Sequence, residues 1–192
     1  MTADPESESA YWNPLPTARE LTAGWPDQEN GLDIGTGEWK HLNPLTVPGP
    51  FYTGETDNGG NGPVYAPGLV LGDDDLYMEF IYRQPQNPDE VRTLIDVAGG
   101  EPYGGYACDG DDRWTPDSVR EWWAGRERIR AWIDREIEVR AKSERSYERA
   151  DVPSLRAFAA HVDGPLERYL RGYLHWLTER VEPAPGATLP RL

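Results

Sequence analysis

The chain of 192 residues has a single cysteine, Cys108, and only two lysines. One cysteine cannot form an intramolecular disulfide, and it cannot supply the several thiolates that iron–sulfur clusters and most structural zinc sites need. No apolar run approaches the ~18 residues of a membrane-spanning helix, and no basic-then-apolar segment resembles a signal peptide. We therefore expect a cytoplasmic location and no membrane partner.

Basic residues are scarce in the first part of the chain. Residues 1–112 carry a net charge of −17, from 21 Asp and Glu against four Lys and Arg, whereas residues 113–192 carry +2, which together give −15. An acidic surface repels nucleic acid and attracts cationic proteins or metal ions. The sequence therefore predicts a cationic protein partner and no nucleic acid. The arginines of the second part alternate with Glu and Asp, which is typical of a solvated face: Arg126, Arg128, Arg130 and Arg135.

Aromatic residues are abundant, with eight Trp and ten Tyr. A disordered chain lacks such apolar area, so we expect a folded protein with an aromatic core. The length suits one domain. The excess of Arg over Lys, together with many Gly and Pro, indicates a GC-rich bacterial coding sequence.

The acidic part is predicted to contain loops, a small antiparallel sheet of two to four strands and one short helix. Residues 1–10 have the composition of a disordered tail. Residues 51–68 are rich in Gly and Asn, and the clearest strand follows at residues 76–82. One face of that strand consists of Leu76, Met78, Phe80 and Tyr82.

Helix start signals are strong from residue 87 onward. Asn87-Pro88-Asp89-Glu90 predicts a helix that ends at Gly99-Gly100. Thr115-Pro116 starts a helix that we expect to continue to about residue 150. Two more helices are predicted, one starting at Asp151-Val152-Pro153 and one covering about residues 165–181.

These patterns predict an α+β fold. The small antiparallel sheet and the long irregular acidic region pack on a C-terminal platform of three helices. We expect one domain over residues 11–182, with an acidic loop and sheet part at 11–114 and a helical part at 115–182. A Pro-rich tail covers residues 183–192. The sheet is too small to bury its own face, which is why we do not divide the chain.

Two Gly-rich acidic loops, 54–62 and 104–112, are candidates for one shared site. Oxygen atoms of carboxylates and amides suit Ca²⁺ or Mg²⁺, and paired carboxylates suit acid–base catalysis. The alternative is a pair of tight surface turns, and neither the EF-hand spacing nor a phosphate loop is present. No other cofactor is expected. The candidate residues are Glu55, Asp57, Asn58, Asn61, Asp109 and Asp111.

Two runs of carboxylates are candidates for contact with a partner. Asp73-Asp74-Asp75 is predicted to form an acidic hairpin tip, because three consecutive side chains rarely reach one metal ion. Asp109, Asp111 and Asp112 form the second run. Asp112 has an alternative role, the stabilisation of the following helix N-terminus.

Cys108 is the only candidate for a nucleophilic thiol, and such a thiol needs a histidine partner. The three histidines, His41, His161 and His175, are distant in sequence. A small buried apolar side chain is therefore the preferred interpretation of Cys108. A half-buried imidazole is preferred for His175.

The segments VPGPFYTGETDNG, EFIYRQP, GYACDGD and WTPDSVREWW, within residues 47–123, resemble a group of uncharacterised actinobacterial proteins of about this size. The resemblance implies an actinobacterial origin and a single domain, and supplies no activity. A ferredoxin label given to some members is incompatible with one cysteine.

The sequence thus leads to a first hypothesis of a non-enzymatic acidic interaction protein. An immunity or antitoxin-like inhibitor, or a nucleic-acid mimic, would use such a surface to bind a cationic protein. The alternative is a small enzyme or a metal- or ligand-binding protein whose site lies between loops 54–62 and 104–112. A helix-mediated homodimer is a third possibility.

Overall fold

The computed structural model describes residues 9–25, 33–57 and 59–192. The acidic part contains both sheets and four of the helices, and a 3₁₀ turn at Trp39–His41. Its elements are α1 (Leu15–Thr22), β1 (Tyr52–Thr53), α2 (Asn61–Tyr65), β2 (Val70–Asp73), β3 (Met78–Ile81), α3 (Pro88–Gly100), β4 (Tyr106–Ala107) and α4 (Gly110–Arg113). The second part consists of α5 (Pro116–Ala124), α6 (Arg126–Ala141), α7 (Ser146–Ala150), α8 (Val152–Val162) and α9 (Pro165–Glu179). The predicted α+β class is confirmed.

The strands form two antiparallel pairs, β1 with β4 and β2 with β3. In the first pair Tyr52 lies opposite Ala107, and in the second Val70 lies opposite Ile81. A side chain joins the two pairs, since the Thr53 hydroxyl donates to the carbonyl of Glu79 at 2.8 Å. The predicted small antiparallel sheet is therefore present as two linked ladders.

The β2–β3 hairpin separates two hydrophobic cores. Leu71 and Phe80 face a core shared with α6, α8 and α9. Val70 and Ile81 face a second core that includes residues of α1 and α3. Both faces of the hairpin are thus buried, whereas the alternating pattern predicted one buried face.

The predicted strand at 76–82 begins two residues later in the structure. Residues 74–77 form the turn of the hairpin. Tyr77 adopts a left-handed backbone conformation with φ of 53°, and Leu76 is half exposed. Because Leu76 lies in this turn, it does not share a strand face with Met78, Phe80 and Tyr82 as predicted.

The predicted platform of three helices is divided into five. Its start is as predicted, because Thr115 and Ser118 form a reciprocal capping box. The expected long helix breaks at Gly125, whose N–H donates to the carbonyl of Glu121. Glycine has a low helix propensity, and the break lets α5 pack on α9 while α6 packs on α8.

Residues 9–11 and the C-terminal segment pack against α9 and each other. The hydroxyl of Ser9 donates to the carbonyl of Pro183 at 2.8 Å, and Arg171 donates to the carbonyl of Pro190 at 2.9 Å. The ring of Tyr11 stacks on Trp176 with centroids 5.8 Å apart. The rest of the predicted disordered tail, residues 1–8, lies outside the described residues.

Candidate functional site

Loops 54–62 and 104–112 lie side by side. The β1–β4 pairing brings them together, and the N–H of Gly54 donates to the carbonyl of Gly105 at 2.7 Å. The hydroxyl of Tyr52 also donates to Asp109 at 2.7 Å. The first geometric requirement for a shared site, that the loops are close, is therefore met.

The four predicted carboxylates nevertheless diverge. Glu55 faces His41, and Asp57 accepts from the N–H of Gly59 within its own turn. Asp109 pairs with Arg113, four residues further along the chain. Asn61 begins α2, and Asn58 lies outside the described residues.

Asp111 points away from both loops into the protein. Its carboxylate accepts hydrogen bonds from the Tyr173 hydroxyl at 3.0 Å and from the Trp176 indole at 2.7 Å. Burial raises the pKa of Asp111, and the two hydrogen bonds act in the opposite direction. Asp111 therefore fixes α4 to α9 instead of facing a ligand.

The metal site predicted at Glu55, Asp57, Asp109 and Asp111 stays a prediction, without support from this geometry. Their oxygen atoms do not point to a common centre, because each carboxylate is held by a different neighbour. Across residues 9–25, 33–57 and 59–192, no group of three or more His, Cys, Asp or Glu is placed to hold a metal ion.

The acidic hairpin tip is paired within the chain. Asp74 lies 3.3 Å from Arg140, and Asp75 lies 2.6 Å from Arg135. Asp73 is buried. Arginines of α6 therefore neutralise most of the negative charge at the tip. Little of this charge remains for the partner contact predicted at Asp73, Asp74 and Asp75. Asp112 differs, since it is exposed on α4.

Cys108 and His161 are buried and uncharged. Burial raises the pKa of the Cys108 thiol to about 12, and a nucleophile needs the thiolate. Burial lowers the pKa of His161 to about 4. His175 is half-buried on α9. The interpretation of Cys108 as a small buried side chain therefore agrees with its environment.

A cleft of about 550 Å³ opens where the 3₁₀ turn meets the two loops. We call it the His41 cleft. The turn is anchored by Trp39, whose ring packs edge-on against Trp114 with centroids 5.0 Å apart. The lining includes Gly37, Glu38, His41, Glu55, Thr56 and Tyr103.

His41 bridges two carboxylates of this cleft. Its Nδ1 lies 3.3 Å from Glu55, and its Nε2 lies 3.7 Å from Glu38. Lys40 also pairs with Glu38, and its hydrogen bond lowers the pKa of the Glu38 carboxyl. Because the two carboxylates sit at opposite ring nitrogens, the three groups cannot ligate one metal ion together.

A second groove, of about 590 Å³, lies between α2 and α3. We call it the Tyr65 groove. Tyr65 and the Tyr103 side chain at the first cleft are each 70% exposed. The groove is lined by Asn61, Tyr65, Thr93, Asp96, Val97 and Gly100.

A buried carboxylate, Glu101, holds the loops around both clefts. It accepts hydrogen bonds from the backbone N–H groups of Asp57 at 2.8 Å, Tyr103 at 3.1 Å and Gly105 at 2.6 Å. The segment 101–105 joins the two clefts, since Gly100 lines one and Tyr103 the other. We call the two clefts and this segment the loop face.

Glu79 is the second buried support of the loop face. It accepts from the N–H of Gly62 at 2.7 Å and from the hydroxyl of Tyr106 at 2.6 Å. Burial raises the pKa of Glu79, and these hydrogen bonds oppose the shift. Each buried donor and acceptor of this set thus has a partner, which makes the loop conformation well defined.

Comparison with protein-family models, curated proteins and solved structures found no match for this chain. The resemblance to actinobacterial proteins therefore stays a prediction. No helix in the described part of the chain is long and apolar enough to cross a membrane.

Sequence reasoning missed the His41–Glu55 pair and the role of Glu101. The sequence suggests His41 only as a partner for Cys108. Glu101 follows Gly99-Gly100, and no sequence pattern around it indicates a buried hydrogen-bond acceptor. One signal in the sequence could have indicated the loop face, namely the isolated tyrosines Tyr65 and Tyr103 next to Gly-rich acidic loops.

Proposed function

We propose that the chain is a non-enzymatic acidic interaction protein that binds a cationic protein through the loop face. The observation that carries the proposal is the pairing of carboxylates with highly exposed tyrosines at two adjoining clefts. Glu38 and Glu55 accompany Tyr103 at the first, and Asp96 accompanies Tyr65 at the second.

Exposed tyrosines next to carboxylates suit recognition of a basic protein. Tyrosine is enriched at protein interfaces because its ring supplies apolar contact area and its hydroxyl a hydrogen bond. The ring faces also attract the cationic side chains of Lys and Arg. A cationic surface can therefore satisfy both the rings and the carboxylates of the loop face.

The loops are held in place before any partner binds. Glu101 and Glu79 fix the backbone at both clefts through hydrogen bonds to Asp57, Gly62, and Gly105. Ordering a loop on binding costs free energy, so a fixed loop improves affinity.

Long-range electrostatics favour the same partner class. The net charge of −15 accelerates association with a cationic protein and makes the rate sensitive to salt. An inhibitor that masks the cationic site of a toxin, in the manner of an immunity protein, antitoxin or nucleic-acid mimic, is the form we expect. The proposal includes a cytoplasmic location, and neither nucleic acid nor a membrane as partner.

The test is co-purification with the products of neighbouring genes at low salt, followed by binding measurements with the purified pair. The variant Tyr65→Ala/Tyr103→Ala should lose most of the affinity. The matched control is Tyr77→Ala/Tyr147→Ala, because those tyrosines are 72% and 65% exposed but lie outside both clefts. Equal binding by the two double variants, or no partner at low salt, would contradict the proposal.

A further inference from the structure

The carboxylates of the His41 cleft already have partners in the same chain. His41 lies between Glu38 and Glu55, and Lys40 pairs with Glu38. The side chains of Glu38 and Glu55 are still 58% and 75% exposed. A flat ring with nitrogens on opposite edges therefore lies between two acidic groups, in a cleft that remains accessible from solvent.

A guanidinium group matches this arrangement better than an ammonium group. The imidazole of His41 presents ring nitrogens on opposite edges to the two carboxylates. Guanidinium is also flat, with N–H donors along its edges, whereas the ammonium of lysine is a compact point charge. Tyr103 adds an exposed ring in the same cleft, on which a guanidinium can stack.

We infer that the His41 cleft is the binding site for an arginine side chain of the partner, and that His41 holds the place of that side chain in the free protein. This inference rests on the proposed function, since it names the chemical group that one part of the loop face recognises. On binding, the guanidinium displaces the imidazole and pairs with Glu38 and Glu55.

The exchange costs little because the existing contacts of His41 with the two carboxylates are exposed. Exposed pairs contribute little, since water screens both groups. Removing the competing imidazole should therefore strengthen arginine binding by about two- to fivefold, the affinity equivalent of such a pair. Removing the charge of Glu55 should weaken binding by a similar factor.

The experiment is a titration of the full chain, monitored through its amide chemical shifts in NMR spectra. The probe is Nα-acetyl-L-arginine amide, and the matched compounds are the corresponding lysine amide and the citrulline amide, which is uncharged and nearly isosteric with arginine. Arginine should shift the amides of Gly37, Glu55 and Gly105 more strongly than lysine, and citrulline should leave them unshifted.

Three variants complete the titration. His41→Gln should bind the arginine probe about two- to fivefold more tightly than the parent chain, and Glu55→Gln more weakly. Glu20→Gln is the matched control, because Glu20 is an exposed carboxylate on α1, outside the cleft. Thermal unfolding of all three verifies that they fold.

Two results would overturn the inference. Equal shifts from arginine and citrulline would show that the cleft does not recognise the positive charge. Unchanged arginine affinity in His41→Gln would show that His41 does not occupy the arginine position in the free protein. These failures differ from a failure of the proposed function. A partner that binds the parent chain and requires Tyr65 and Tyr103, without any response of the cleft to arginine, would overturn this inference alone.

Discussion

The guanidinium of Arg140 lies 2.6 Å from the carboxylate of Asp151, eleven residues further along the chain. The same guanidinium pairs with Glu136 and Asp74 and donates to the carbonyl of Gly72. Its side chain is only 3% exposed. One buried arginine of α6 therefore joins the tip of the β2–β3 hairpin to the start of α8.

Replacement of Arg140 should destabilise the fold strongly. Arg140→Ala removes the ion-pair partner of the largely buried Asp151 and one of the two arginines that hold the buried Glu136, and breaking such a buried pair typically costs about 3–5 kcal/mol. Lys142→Ala is the matched control, because Lys142 pairs with Glu138 at the surface, where water screens both charges, and its loss should change stability little. Urea unfolding of both variants measures the difference, and similar midpoints would contradict the role given to Arg140.

Asp111 should be replaceable by asparagine but not by alanine. Asp111→Ala leaves the Tyr173 hydroxyl and the Trp176 indole without an acceptor, at about 1–3 kcal/mol for each unsatisfied group. In Asp111→Asn the amide oxygen can accept from the indole, and the hydroxyl can accept from the amide nitrogen.

Thermal and urea unfolding of the two Asp111 variants test this difference. Asp112→Ala should stay within about 0.5 kcal/mol of the parent chain, as expected for an exposed position. An equally large loss in Asp111→Asn would show that the negative charge matters more than the hydrogen bonds.

His161 should make the protein less stable in mild acid. Burial lowers the pKa of His161 to about 4, below the ordinary value of 6.5. The unfolded chain then takes up the proton first, so this stabilisation is complete above pH 6.5 and is lost as the pH falls towards 4. The full effect is about 3 kcal/mol, at 1.36 kcal/mol for each pKa unit.

The measurement compares the free energy of unfolding at pH 7 and pH 4.5 in the parent chain and in His161→Leu. The variant should lose less stability between these two values, because it has no imidazole to protonate. His175→Gln serves as the control on α9 and should follow the parent chain. Parallel curves for His161→Leu and the parent chain would show that His161 does not control this acid sensitivity.

Glu101 should control the order of the loop face. In Glu101→Gln, one carboxylate oxygen becomes an NH₂ group facing backbone donors, so at least one of the three N–H groups loses its acceptor. The expected cost is about 1–3 kcal/mol, with faster hydrogen exchange at Asp57 or Gly105. Glu121→Gln, at an exposed position of α5, should leave exchange at these amides unchanged.

Local signals predicted the starts of α3, α5, α8 and α9 well. Asn87 accepts from the N–H of Glu90 at 3.0 Å, as the motif Asn-Pro-Asp-Glu requires, and α5 begins where Thr115-Pro116 places it. Such signals depend on residues a few positions apart. The break at Gly125 was not predicted, because the apolar stripe continues through it while the packing partner changes.

The proximity of loops 54–62 and 104–112 was open to prediction, but the directions of their carboxylates were not. Asp111 turns inwards because its partners lie on α9, 62 and 65 residues away in sequence. No spacing within the segment CDGDD marks that choice. The same holds for His41, whose partner Glu55 lies in the next loop.

The hairpin with two buried faces also determines how the chain can be divided. Cleavage at the charge boundary near residue 112 would separate Leu71 and Phe80 from Ile129, Phe158 and the rest of their shared core. The acidic fragment would then expose apolar surface and aggregate, although its charge alone would suggest high solubility. The two parts are therefore expected to unfold in one cooperative transition. Neither part is expected to fold stably when it is expressed alone.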